Sequence, residues 1–262
     1  MKNKIQLKVN NDWWKNAFGD LYLITDARSV NNQALTKKEV DFIIKALGLK
    51  KKDLLLDLCC GHGRHSLELA KRGYRVKGLD YSKVLIEKGK TAAKKQKLTI
   101  EFRQGDARNL PYKNEFFDGV IMMGNSFGYT VEPADDRKIL QEVYRVLKPA
   151  GKFLLDITNG EYVLKHLSPV AWHKATDDLY VLRKKEYSQE FKGIVAKEIV
   201  LSTQKGLLNE LDYFERIYSQ TEISRLLEEN GLRVLEIHYN LTSKKENLGF
   251  MTSRLMVVSQ KI

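Results

Sequence analysis

The residues able to do chemistry gather in one stretch, "DLCCGHGRHSLELAKRGYRVKGLD", from Asp57 to Asp80. Gly61 and Gly63 let a backbone turn sharply and approach a ligand closely. A helix opening after them offers free N–H groups and a partial positive charge. Asp80, closing the next strand, can accept two hydrogen bonds from ribose hydroxyls. Adenine dinucleotides and S-adenosylmethionine both use such a unit, and two features separate them. The third glycine of the dinucleotide fingerprint is missing, since Gly61-His62-Gly63-Arg64-His65 runs into Ser66. Asp57 stands at the strand tip, four residues before Gly61. Its carboxylate would repel a pyrophosphate but favour the ammonium and sulfonium of S-adenosylmethionine. Downstream, "RQGDARNLPY" supplies Asp106 for the adenine amino group and the Ala107 N–H for a ring nitrogen. Asp57, G-x-G, Asp80 and Gly105-Asp106-Ala107, each at a strand end, together point to S-adenosylmethionine rather than NAD.

Other chemistries fit these residues less well. Cys59, Cys60, His62 and His65 follow no familiar zinc spacing, and no metal is expected. The two cysteines are adjacent and poorly placed for a disulfide, so they read as buried thiols in a reducing, cytoplasmic setting. His62 sits in the turn and either faces the methyl donor or caps the helix. Met122 and Met123 read as core that lines the adenosine. Acceptor-side candidates lie beyond the carboxyl ends of the strands, where open α/β sheets bind ligands. They are Asn125, Ser126, Phe127 and Tyr129 after the fourth strand, Asn159 after the fifth, and Arg216 and Tyr218 further on. Among them His62, Asn125, Tyr129, Arg216 and Tyr218 are the candidate catalytic residues. The plainer alternative pairs Arg216 with a surface acid and makes Tyr218 core.

These residues need elements to hold them. Thr36 and Glu39 suggest a capping box, with Val40, Ile43, Ile44 and Leu47 as one helical stripe ended by Gly48. Then follow strand "DLLLDL", helix "RHSLELAKRG", strand "YRVKGLD", a helix capped by Ser82, strand "LTIEFRQGD" and strand "FFDGVIMMG". Leu140, Val143 and Leu147 mark a helix that stops at "KPAG", before strand "KFLLDI". This alternation predicts a doubly wound α/β fold with a mostly parallel Rossmann-like sheet. From about Asn159 to Tyr218 the rhythm changes to "DLYVLRKKEYS", "GIVAKEIVLSTQ" and "LNELDYFERIYS", an inserted antiparallel β meander with a turn at Lys205-Gly206. Ser219 and Glu222 form a second capping box, and "LRVLEIHYN" and "SRLMVVSQK" give two last strands.

The chain resembles the class I S-adenosylmethionine-dependent methyltransferases. The resemblance rests on "LLDLCCGHGRHSLELA", "GYRVKGLDYS", "RQGDARNLPY", "FFDGVIMMGNSFGY" and "EVYRVLKPAGKFLLDITN". It implies a seven-stranded sheet whose last strand is antiparallel, with cofactor contacts at Asp57, Gly61, Gly63, Asp80, Asp106 and Ala107. Tyr22, Cys59, Tyr81 and Met123 are added on the cofactor side, and S-adenosylhomocysteine is the implied product. "NSFGY" and "FERIYSQTEISRLL" look like the subgroup acting on small molecules, including N-methyltransferases of glycine-like amines and amino sugars. Cys60 and His62 depart from the commonest first motif. Trp13, Trp14, Phe18 and Tyr22 precede the fold proper; in the family resembled such a segment often closes over the cofactor. The expected division is a helical lid over 1–35, a core of 36–160 and 219–262, and a substrate-covering insertion over 161–218.

The 262 residues can bury a sizeable core, and no run approaches a signal peptide or a membrane span. The net charge of +12 admits a nucleic-acid partner and, with it, an RNA-modifying methyltransferase as the alternative function. Against that, the lysines are scattered among acids, and "GNSFGY" lacks the Pro-Pro-aromatic pattern of enzymes that methylate nucleic-acid amino groups. The acceptor expected is a small molecule carrying an N, O or C nucleophile.

Overall fold

The computed structural model describes residues 11–241 and 252–262. Three short helices, α1 (Trp14–Ala17), α2 (Asp20–Thr25) and α3 (Ala27–Val30), lead into α4 (Gln33–Leu47). The wound part follows as β1 (Leu54–Leu58), α5 (Arg64–Lys71), β2 (Arg75–Asp80), α6 (Lys83–Lys95), β3 (Glu101–Gln104), β4 (Phe117–Met122), α7 (Pro133–Val146) and β5 (Leu147–Thr158). Next come α8 (Gly160–His166), β6 (Val170–Lys174), β7 (Leu179–Ser188), β8 (Gly193–Ser202) and β9 (Gly206–Arg216). The chain closes with α9 (Gln220–Glu229), β10 (Leu232–Tyr239) and β11 (Arg254–Lys261).

The main sheet has seven strands in the order β10-β11-β5-β4-β1-β2-β3. β1 to β5 pair in parallel, while β11 is antiparallel to both its neighbours, β5 and β10. The alternation along each strand explains its two covered faces. Leu55, Ile121 and Leu154 point to α4 and α5, meeting Val40, Ile43 and Leu69. Leu56, Val120, Phe153 and Leu155 point the other way, to Leu140 and Val143 of α7 and Ile223 and Leu227 of α9. Each such fully buried side chain contributes about 1.5–3 kcal/mol.

Local chemistry sets the helix starts. Ser82 Oγ accepts from Leu85 N at 3.2 Å, and Ser219 with Glu222 forms the expected reciprocal box. The expected box at Thr36 and Glu39 does not form. α4 begins earlier, capped by Asn32, whose Oδ1 accepts from Leu35 N at 3.0 Å. Thr36 and Glu39 therefore lie inside the helix, and Glu39 faces the core. β5 also starts earlier than expected, running through "KPAG" with Ala150 at φ 59° and a register shift opposite Phe117 and Gly119.

A second, antiparallel sheet of four strands, β6-β7-β8-β9, replaces the expected three-stranded meander. The added edge strand is β6. Arg183, Glu198 and Leu211 stand in one cross-strand row of this sheet. α1 to α3 lie between the two sheets. Ser82 Oγ donates to Phe18 O at 2.7 Å and Lys88 pairs with Asp20 at 2.7 Å, fixing the segment to the main sheet. Arg183 Nη2 reaches Asp26 at 3.3 Å, fixing it to the second.

Candidate active site

A cavity of about 330 Å³ opens where the carboxyl ends of β1 and β4 meet the N-terminal helices and the inner face of the second sheet. The turn after β1 forms its floor through Cys59, Cys60, Gly61 and His62. Gly61 and Gly63 have φ of +58° and +78°, a conformation glycine adopts without strain. Their roles differ. A Cβ on Gly61 would meet only Leu85, at 3.8 Å, so this backbone faces open space. A Cβ on Gly63 would stand 2.4 Å from the Phe102 ring, so Gly63 serves helix-to-strand packing. Gly61 N donates to Asp80 Oδ2 and Ser82 N to Asp80 Oδ1, each at 2.8 Å. Burial pushes the Asp80 carboxyl up to about 6 against those two bonds.

The roof is aromatic. Trp13 packs against Phe18, Tyr129 and Tyr213 with ring centroids 5.1–5.9 Å apart, and Phe18 meets Tyr22 edge-on at 5.0 Å. Trp13 Nε1 donates to Tyr129 O at 2.9 Å, which locks α1 to the loop after β4. Such ring faces attract a sulfonium and exclude water. A glycine-floored turn, a carboxylate at the end of β2 that still has lone pairs to offer hydroxyls, and an aromatic roof fit S-adenosylmethionine.

Beneath the floor lies a charged network. Glu39 Oε1 accepts from Arg254 Nη1 at 2.6 Å, and its Oε2 pairs with Arg64 and with His65 Nε2 at 2.9 Å. Burial alone would raise Glu39, but Arg64, His65 and Arg254 hold it well below the ordinary carboxylate range. Arg254 also pairs with Asp156, whose Oδ2 accepts from Gly124 N at 2.7 Å. The network thus fixes the loop after β4, where Asn125 takes the left-handed conformation at φ 61°. Asn125 Nδ2 donates to Glu215 Oε1 of β9 at 2.8 Å, while Asn125 Oδ1 accepts from Thr158 N. Arg28, Arg183, Lys185, Glu198 and Glu215 complete the cavity wall toward the second sheet.

Of the residues singled out from sequence, Tyr22, Cys59, Gly61, Met123, His62, Asn125, Ser126 and Tyr129 line this one cavity. Burial and nearby cations hold His62 down at about 4, so its imidazole is neutral and weakly basic at pH 7. Burial raises both cysteine thiols, making them poor nucleophiles. Trp13, Phe18, Cys60 and His65 line it too, while several others lie elsewhere. Asp57 is buried and turned to α5, accepting from Ser66 N at 3.1 Å and Ser66 Oγ at 2.7 Å, so it anchors the turn from behind. Asp106 is gripped by Arg108, with Nη2 at 2.7 Å, and Arg108 continues to Asp135 and stacks over Trp14. Tyr81 meets Trp14 edge-on at 4.7 Å, and Ala107 packs against the core. Arg216 and Tyr218 converge instead on Asp136 of α7, at 3.3 Å and 2.6 Å. Arg216 Nη1 also donates to Phe191 O at 2.7 Å, so both residues tie β9 to the core outside the cavity. Phe127 is core beside Tyr218, and Asn159 caps α8. Sequence reading missed Arg183, Lys185, Glu198 and Glu215; only the two-residue alternation of polar positions in the meander marks them.

Comparisons with known proteins agree with this geometry. A family model described as a methyltransferase domain matches residues 55–151. The demethylmenaquinone methyltransferase of Lactobacillus johnsonii is 40% identical over 113 residues, 41% of this chain and 45% of that one. A glycine/sarcosine N-methyltransferase of Aphanothece halophytica is 30% identical over 164 residues, 62% of each chain. These matches span about half to two-thirds of the length of those relatives. A solved structure of an S-adenosylmethionine-dependent methyltransferase from Clostridium acetobutylicum superposes with a TM-score of 0.74 at 19% identity, covering 92% of this chain and 96% of that one. Taken with the parallel core, the reversed last strand and the glycine turn after β1, these likenesses show a methyltransferase domain over residues 55–151 and the fold of S-adenosylmethionine-dependent methyltransferases.

Proposed function

We propose that this protein transfers the methyl group of S-adenosylmethionine to a small acceptor bound under the second sheet. The observation that carries the reading is one cavity joining the Gly61 turn, the Met123-Gly124-Asn125 loop and the polar inner face of β7 to β9. When bound, the cofactor supplies a methyl group on a good, neutral leaving sulfur. Gly61, Asp80 and the Asp106-Ala107 backbone would hold its nucleoside, with Tyr22, Cys59, Tyr81 and Met123 around it. The aromatic roof of Trp13, Phe18, Tyr22 and Tyr129 would enclose the sulfonium and keep water out. Asn125 and Tyr129 would border the line of attack, and His62 would remain a neutral wall. Holding acceptor and methyl in line supplies about 7–11 kcal/mol of the barrier, so strong acid catalysis is not needed. The modest volume of the cavity, about 330 Å³, and its walls from two sheets and three helices favour a small molecule over an RNA strand.

Calorimetry with S-adenosylhomocysteine and with NAD tests the reading. Binding of S-adenosylhomocysteine without binding of NAD is expected. Tight NAD binding with none of S-adenosylhomocysteine would overturn it.

A further inference from the structure

The basic excess of the chain is not spread evenly over its surface. Residues 33–97, from the start of α4 to just past α6, hold seventeen lysines and arginines against seven carboxylates. Along the sequence the two signs are mixed, but folding separates them. Glu39 and Asp57 are buried, and Asp80 turns to the Gly61 and Ser82 amides. Asp41 and Glu68 both pair with Arg72, Glu87 pairs with Lys90, and Asp53 accepts from Lys50 N. The charge left facing outward is mostly lysine.

α4, α5 and α6 form one layer on the main sheet. Val40, Ile43 and Leu69 cover Leu55 and Val76, while Ile86 and Ala93 cover Phe102. The start of α4 and the ends of α5 and α6 meet at a depression of about 260 Å³ lined by Lys37, Lys71 and Gln96. Lys94, Lys95 and Lys97 flank Gln96 in sequence. These five lysines are exposed, and none forms an ion pair among the described residues. Like charges gathered on one face repel, and an opposing anionic surface relieves that repulsion. The depression shares Val30, His62 and Arg64 with the main cavity, so a surface docked here lies beside the site.

The chemistry of this face selects among anionic partners. Its arginines are engaged within the fold: Arg64 pairs with Glu39, Arg72 with Asp41 and Glu68, and Arg75 Nη1 donates to Lys52 O at 3.2 Å. The Tyr74 ring at its edge is covered by Lys51, whose Nζ lies 3.6 Å from the ring centroid. Single-stranded RNA is gripped by stacked aromatic rings and guanidinium planes, which this face does not present. Lysine ammonium groups on flexible stems suit a dispersed layer of phosphate headgroups. We propose that the outer face of α4 to α6 docks the protein on an anionic lipid membrane, with Lys37, Lys71, Lys94, Lys95 and Lys97 meeting the headgroups.

The test sediments the full chain with vesicles of phosphatidylcholine alone and of phosphatidylcholine mixed with phosphatidylglycerol. Fluorescence anisotropy with single-stranded RNA runs in parallel. The mixed vesicles should bind at least about tenfold tighter than the neutral ones. That binding should fade between about 0.1 M and 1 M salt, as screening shortens from about 10 Å to about 3 Å. Each lysine near an anionic membrane contributes about fivefold in affinity, so Lys94→Gln, Lys95→Gln and Lys97→Gln together should weaken binding about a hundredfold. The same neutralisation at Lys165, Lys192 and Lys205, exposed on α8 and on turns of the second sheet, should change it less than about threefold. Unchanged melting curves show that both triple variants fold; if the α6 variant does not, the lipid and salt dependence of the unaltered protein decides. Equal binding to both vesicles, binding to neither, or equal weakening by the two triple variants would overturn the inference. RNA bound more tightly than the mixed vesicles at the same salt would also overturn it and make this face a nucleic-acid surface.

Discussion

Asp80 shows how one buried carboxyl can report on the site. Its unliganded fold favours the protonated form, since burial lifts it to about 6 from an ordinary 3.8. Its stabilising contribution is therefore full below 3.8 and is lost as pH rises through about 6. Ribose hydroxyls donating to this carboxylate would favour the anion, so binding should expel a proton across that window. S-adenosylhomocysteine affinity should then fall as pH drops below about 6, and titrations in buffers of different ionisation enthalpy should show proton release. Asp80→Asn should weaken binding about tenfold or more and flatten the pH dependence. A pH-independent affinity for the unaltered protein from pH 5 to 8 would remove Asp80 from the ribose site.

Between elements, the decisive interactions are those no local pattern reveals. Arg254 of β11 meets Glu39 of α4 across 215 residues of sequence, and both are almost wholly enclosed. Replacing one member of a buried ion network leaves its partners uncompensated, at about 3–5 kcal/mol. Arg254→Met should therefore lower the melting temperature by roughly 6–20 °C, read by calorimetric or fluorescence melting. A shift below about 2 °C would make the network a bystander. The same network explains why Glu39 does not act as a cap. Near Thr36 it has the spacing of a capping box, and only the tertiary partners Arg64, His65 and Arg254 show otherwise. The parallel sheet was legible because Leu55 and Leu56, or Ile121 and Val120, serve opposite buried faces and produce short unbroken apolar runs. β6 was not, since "VAWHK" is too short to show alternation and its Val170 and Trp172 are exposed. The glycine turn after β1 was readable from its glycines, yet the buried place of Asp57 behind it was not. Arg216 and Tyr218 sit at the expected end of β9, but their clamp on Asp136 depends on where α7 docks.

At the scale of the whole molecule, two sheets are joined by few covalent crossings, and the N-terminal helices act as a strap between them. On one side the strap holds Ser82 and Lys88 of α6; on the other it meets Arg183 and His173 of the second sheet. Its aromatic residues also roof part of the cavity, so a molecule seated there would lie against the strap. Trypsin provides a direct reading, because Lys15 and Arg28 lie within the strap and cleavage there requires it to open. A ligand that binds only the closed form stabilises it by about 2.7 kcal/mol at a concentration of 100 Kd, a factor of about one hundred in the open population. Saturating S-adenosylhomocysteine should slow cleavage after Lys15 and Arg28 by up to that factor, while cutting in the exposed loops of the second sheet stays unchanged. Trp13→Ala, which removes the bond to Tyr129 O and three ring contacts, should restore rapid cleavage even with the ligand present. Mass spectrometry of the early fragments separates the two regions. Equal cleavage of the strap with and without calorimetrically bound S-adenosylhomocysteine would show that these helices are a fixed wall rather than a gate.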